Sequence, residues 1–286
     1  MPIVGVLTDT TASLPPGLAG ELQIEIIPYY VHRSLDTLRD MVDVQPEAFA
    51  QYLTQTDRLP TTSNPSIGDY VTGLKRLAER TKEIVALTMT SKGSGAYQAC
   101  RAAVEILREI LPDVRVEVVD TLRVAMSQGW AVIEAARSAV EGKPLNEVAD
   151  RARDVAQKTS MLMTGDTLRY LYLGGRIGRA QHLMGTLLNI KPLIGMDEGV
   201  IVGLGAARTR AKAYARIVEM MCQQVGARAR IKVAFTHLAA EEQAARLREM
   251  VTEQFECVET ITTWLSPVLS VHSGPGTVGV HYYPVD

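Results

Sequence analysis

Short runs of β-branched and apolar residues recur along this chain, and each is followed by a longer stretch whose apolar residues keep a helical period. "PIVGVLTD", "EIVALTMT" and "VRVEVVDT" are runs of the first kind, each closed by polar turn residues. Such runs read as buried strands. "AYQACRAAVEILREIL" is of the second kind, with Ala96, Ala99, Cys100, Ala103, Val104, Ile106 and Leu107 forming one apolar stripe. Strands alternating with helices in this way pack as a parallel sheet with helices on its faces.

The pattern changes from "KTSMLMTGD" onward. Two apolar runs, "IKPLIGMDEG" and "VIVGLGAART", are joined at an Asp-Glu-Gly turn, and then come a helix, "IKVAFTH", the helix "EEQAARLREMVTEQF" and "CVETITTW". A chain of 286 residues is long for one core and suits two α/β domains sharing a face. The expected division is 1–158 and 159–286, with a parallel Rossmann-like sheet in the first and a mixed sheet in the second. In the first part, "IEIIPYYVH" reads as one strand that Pro28 bends or confines to an edge. "TLRDMVDV" reads as a small edge hairpin. "TTSNPS" is expected to open a helix, Asn64 capping and Pro65 at the first helical position.

Composition removes several function classes. With 47% apolar and 22% charged residues the chain is globular rather than disordered, and a formal net charge of −2 gives no global pull toward nucleic acid. "MPIVGVLTDTT" has no basic leader and too short an apolar run for a signal peptide. No stretch reaches the roughly 18–20 apolar residues that span a bilayer. Cys100, Cys222 and Cys257 are widely spaced and form no C-x-x-C pair, so they read as small buried hydrophobes in a cytoplasmic protein rather than as bridges or zinc ligands. The five histidines show neither H-x-x-H nor H-E-x-x-H spacing.

The chemistry-bearing residues cluster in loops. In "SKGSGAYQ", Ser91, Gly93, Ser94 and Gly95 lie between a strand end and a helix start, where free amides and the helix dipole favour an anion. The same residues suit an ordinary cap. The loop is not a nucleophile elbow, since Lys92 stands where glycine is needed, and it lacks the Gly-Lys-Ser/Thr of a Walker loop. Gly203 and Gly205 are no dinucleotide fingerprint, because Arg208 takes the third glycine's place. Thr61, Thr62 and Ser63 offer hydroxyls to an anion or to a cap. Asp9 has the wrong charge to hold an anion and is expected to brace its neighbours. "GGRIGR" carries Arg176 and Arg179, and "ARTRAK" carries Arg208, Arg210 and Lys212; each suits a phosphate, an acidic partner or a solvated face. Near the end, "SVHSGPGT" sets His272 beside a Gly-Pro-Gly turn that has no need of it.

In this order, "LTDTTASLP", "RDMVDV", "TTSNPS", "TSKGSGAYQ", "VVDT", "TLRYLYLGGRI", "LLNIKPLI", "GARARIKVAFTH" and "HSGPGT" resemble the DegV family of bacterial fatty-acid-binding proteins along nearly the whole chain. The resemblance implies two α/β domains with a lipid tunnel between them. By position, the fatty-acid carboxylate would meet Thr62, Ser63, Ser94, Gly95, His272 and Ser273. Arg176, with Arg208 or Arg210, would lie on a phosphate-facing or partner-facing side. "QHLMGTLLNIKPLIGM" is suitable tail lining, and equally suitable core. The resemblance also implies a carrier without catalysis or cofactor of its own. Such a carrier presents a long-chain fatty acid to an ATP-dependent fatty acid kinase, which forms an acyl-phosphate for phospholipid synthesis; transient membrane-surface contact fits this role. The chain departs from the family at Lys92 and Gly93, at Leu173 where Lys is common, and at Ser273 where Thr is common. An enzyme acting on a small carboxylated or phosphorylated substrate at the same loops is the alternative.

Overall fold

The computed structural model describes residues 3–56, 58–184 and 190–285. In the first half, the strands β1 (Val4–Asp9), β2 (Ile24–Ile27), β6 (Glu83–Thr88) and β7 (Arg115–Asp120) form a fully parallel sheet in the order β2-β1-β6-β7. Side chains alternate across it because a strand's period is two. Leu7, Ile84 and Ala86 join the core under α3 (Ile67–Ala78) and α4 (Ala96–Ile110). Val6, Val85 and Leu87 join the core under α5 (Met126–Val140) and α6 (Leu145–Lys158). Both faces are covered, which is why the central strands β1 and β6 are largely apolar, while the edge strands β2 and β7 keep charged residues such as Glu25 and Glu117. On α4 the expected stripe is buried at Ala96, Cys100, Ala103, Val104 and Leu107, whereas Ile106 is exposed. Cys222 and Cys257 are half-buried, and all three cysteines are free.

Pro28 does more than bend a strand. It separates β2 from β3 (Tyr30–Arg33), which leaves the parallel sheet and pairs with β4 (Asp36–Arg39) and β5 (Thr61–Ser63) in a small antiparallel sheet. Two short helices, α1 (Leu18–Glu21) and α2 (Pro46–Gln55), complete this half. "TTSNPS" therefore begins as a strand. Its helix is capped by Ser66, not Asn64, because Ser66 and Asp69 satisfy each other's backbone amides in a capping box.

The second half holds a six-stranded mixed sheet in the order β10-β9-β8-β13-β11-β12. Its strands are β8 (Ser160–Thr164), β9 (Lys191–Asp197), β10 (Val200–Ala207), β11 (Arg230–His237), β12 (Glu256–Trp264) and β13 (Val278–Pro284). Only β11 and β12 run parallel; the other pairs are antiparallel. α8 (Arg210–Val225) and α9 (Glu241–Gln254) cover one face, burying Leu162, Leu193, Val233 and Phe235. The opposite face turns Met161, Met163 and Ile194 toward the first half. Two short helices, α7 (Arg169–Leu173) and α10 (Pro267–Ser273), lie between the halves, and α10 packs on β3, β5 and α2. "SVHSGPGT" is thus the end of a helix followed by a turn. His272 and Ser273 occupy the helix's last turn, and Gly274, at φ 78°, closes it.

Candidate functional site

A cavity of about 550 Å³ lies between the loops at the carboxyl ends of the parallel strands and the inner face of the mixed sheet. That crevice is where open α/β sheets place ligands, and the volume lies within the range of small-molecule sites. Two chemistries meet in it. Hydroxyl and amide groups come from Thr11, Tyr29, Thr62, Ser63, Asn64, Ser94 and Ser273. Apolar lining comes from Met161 and Met163 of β8, Ile194 and Met196 of β9, Ile201 of β10, Leu171 of α7 and Val268 and Leu269 of α10. Among the described lining residues there is no carboxylate, while Lys92 and Arg176 are cationic. The site therefore suits an anionic head on an apolar body.

The polar wall is built from pairs that cross long stretches of chain. Thr62 Oγ1 and His272 Nε2 stand 2.9 Å apart, joining residues 210 positions apart in sequence. Ser94 Oγ lies 2.8 Å from the Tyr29 hydroxyl and accepts from the Ala96 amide at 3.3 Å. His272 is half-buried. Burial, aided by the nearby Arg176 charge, pushes its imidazole down to about 4, so the ring is neutral at pH 7. It packs against Gly174, where a Cβ would come within 2.8 Å of His272 Cε1.

Two buried acids hold the wall from behind. Asp9 accepts from the amides of Thr11 and Met89 and from the side chains of Thr11 and Gln128. Burial raises its carboxyl, and the hydrogen bonds of Thr11 and Gln128 oppose that rise. This is the bracing role expected of it. Asp40 accepts from the Val268 amide at 3.2 Å, while Ser13 Oγ accepts from the Ser266 amide at 3.2 Å. Together they fasten the start of α10 to the first half of the chain. Burial pushes the Asp40 carboxyl up to about 7.

Thr62, Ser63, Ser94, Gly95, His272 and Ser273 all line this one cavity, although they come from three separate segments. Arg176 lines it too, with Nη1 donating to the Gly174 carbonyl at 2.8 Å and Nε to that of Gly93 at 3.4 Å. Arg208 and Arg210 do not. Arg208 is exposed at the β10–α8 junction. Arg210 pairs with Asp166 at 2.8 Å and donates to the Gly276 carbonyl at 2.8 Å, holding the turn before β13. Of the expected tail lining, Pro192, Ile194 and Met196 face the cavity, and residues 185–189 lie outside the described residues. Tyr29 and Thr164 are not legible as site residues, whereas Thr11 belongs to the "TDTT" turn after the first strand, where open α/β sheets place ligand contacts. Tyr29 lies between β2 and β3 and Thr164 ends β8, and neither position carries a local ligand signal.

A sequence model of the DegV family matches residues 3–285. The chain belongs to the DegV family. DegV domain-containing proteins of Clostridium perfringens and Streptomyces coelicolor are 32% and 34% identical to it over 279 residues. The alignments cover 98% of both chains in the first case and 97% in the second. A fatty-acid-binding DegV family protein from Thermus thermophilus has the same two-domain fold, with a TM-score of 0.92, 31% identity and full coverage of both chains. DegV of Bacillus subtilis, a fatty acid binding protein, gives 0.87 at 26% identity, again over both chains in full. No helix among the described residues is long and apolar enough to cross a membrane.

Proposed function

We propose that this DegV-family chain binds a long-chain fatty acid. The carboxylate lies among Thr62, Ser63, Ser94, Gly95, His272 and Ser273, and the tail runs along the methionine-rich face of β8 and β9. The observation that carries this reading is the union, in one cavity, of a hydroxyl-rich wall with an apolar lining and no carboxylate among the described lining residues. The fatty-acid-binding relatives of Thermus thermophilus and Bacillus subtilis support it. Burying a carboxylate is costly unless donors replace its water. Hydroxyls and helix-end amides do so here without clamping the head in a salt bridge, so its oxygens stay open to phosphoryl transfer. At about 0.8 kcal/mol per CH₂, a 16-carbon tail contributes roughly 12 kcal/mol before ordering costs, and methionine adapts to flexible chains.

In this reading the protein is a carrier without catalysis of its own. It presents the acid to a separate ATP-dependent kinase, which forms an acyl-phosphate for phospholipid synthesis, and Arg176, which lines the cavity, would meet a phosphate oxygen. Native mass spectrometry of the purified protein, followed by organic extraction, tests the binding step. The expected result is a co-purifying fatty acid of about 14 to 18 carbons, the range that the family resemblance implies, with burial favouring long tails. A protein that emerges empty and takes up no added fatty acid overturns the reading. Incubating the loaded protein with the kinase and ATP tests the hand-over: acyl-phosphate forms if the protein is a donor, and none forms if it only stores the lipid.

A further inference from the structure

Tyr29 stands beside Ser94 in the cavity wall. Its side chain is 4% exposed, directly after the Pro28 break, and its hydroxyl has Ser94 Oγ as its hydrogen-bond partner at 2.8 Å. The Ala96 amide points at the same serine oxygen. A serine hydroxyl has two lone pairs and one proton. Ala96 takes one lone pair, so Tyr29 either fills the other or accepts the proton. Tyr29 is the interior member of the pair and Ser94 the half-buried one. Burial of the phenol, with the Asp9 charge beside it, raises its pKa well above the usual range, so it keeps its proton wherever the fold stands. That proton has Ser94 Oγ within reach at 2.8 Å, and Ser94 lines the cavity.

We propose that Tyr29 is a positioning residue for the carboxylate: by donating to Ser94 it fills the serine's second lone pair and turns the Ser94 O–H into the cavity as a fixed donor. The proposal rests on the fatty-acid reading above. A carboxylate only accepts hydrogen bonds, whereas a free serine donates and accepts equally well. Removing that ambivalence before the ligand arrives favours an anionic head over a neutral one, because no reorientation is left to be done on binding. A fatty alcohol, which offers both a donor and an acceptor, has less to gain from it.

The test is Tyr29→Phe, which removes one oxygen and leaves the Ala96–Ser94 bond in place, titrated with palmitate and with hexadecanol. The expected outcome is a loss of palmitate affinity of about ten-fold with hexadecanol within about two-fold, the size of one hydrogen bond to a charged group. The double variant Tyr29→Phe with Ser94→Ala should bind palmitate no worse than Ser94→Ala alone, since both changes act through one donor. Equal losses for acid and alcohol, full additivity, or an unchanged palmitate affinity each overturn the role of Tyr29. Wild-type protein that binds palmitate while Tyr29→Phe matches it sinks Tyr29 alone. Wild-type protein that binds neither ligand sinks the fatty-acid reading and this inference with it.

Discussion

Gly174 gives His272 its place. A Cβ there would overlap the imidazole, and a Cβ on Gly274 would overlap the Tyr170 ring, so α7 and α10 interlock through two glycine sockets. Gly174→Ala is expected to displace the ring from Thr62 and weaken fatty-acid binding by about ten-fold, the cost of one lost charge-assisted donor. Isothermal titration against Gly20→Ala, an open helical position, separates this from a general glycine effect; equal affinity in the two variants would remove the socket argument. The ring also ties stability to pH. His272 is pushed down to about 4, and His281, bonded to Ser127 and Thr236, to about 3 by burial alone. Unfolded histidine titrates near 6.5. Both therefore contribute stability above about pH 6.5 that is lost as pH falls toward their folded values. The motif around His272 was visible in the sequence; its neutrality was not, because burial is a property of the packed halves.

The short helix α10 illustrates how an element is placed. Pro267 suits its first turn and Gly274 its end, and both are local signals. What fixes it in space is the grip of Ser13 and Asp40 on its first amides, from residues more than two hundred positions earlier. Asp40 is fully buried with its carboxyl raised to about 7 against 3.8 unfolded. A raised carboxyl contributes stability that is present below about pH 3.8 and lost as pH rises to about 7. Asp40→Asn keeps an acceptor for Val268 and carries no charge. Relative to wild type it should gain stability between pH 5.5 and 8, at about 1.4 kcal/mol per unit up to the folded value, hence roughly 2 kcal/mol in all. Urea titrations at the two pH values measure it, and a pH-independent difference would refute a buried titrating carboxyl. Elsewhere the capping signal was readable in kind but displaced: the Ser66–Asp69 box outcompeted Asn64 because it satisfies two amides at once.

Across the whole molecule, the two halves are bolted together by charge as well as by apolar contact. Glu134 of α5 pairs with Arg137 and with Arg151 of α6 at 2.8 Å, and with Lys232 of β11 at 2.7 Å. Glu259 of β12 joins Arg137 at 2.6 Å and Lys232 at 3.1 Å. Burial pushes the Glu134 carboxyl up, but the hydrogen bonds from Lys232 and Arg151 outweigh it and hold it at about 2. Glu134→Ala removes the carboxylate that Arg137, Arg151 and Lys232 share, leaving Glu259 to the first and third and Asp154 to Arg151, and should cost about 1–2 kcal/mol, less than breaking a fully buried pair because the cations are partly exposed and keep a partner. Chemical denaturation checks the loss, and fatty-acid affinity should not change, since none of these residues lines the cavity. A matching drop in affinity would mean that the network shapes the site.

By itself the sequence determined the alternation of strand and helix, the parallel first sheet and mixed second sheet, and the loops that carry hydroxyls. Periodicity and turn chemistry act over a few residues, so they are written locally. The tertiary structure alone decided that Thr62 meets His272, that Tyr29 meets Ser94, and that Arg210 serves a turn rather than the cavity. Those facts depend on how two sheets pack across an interface, where partners far apart in the chain are chosen by shape and burial rather than by spacing.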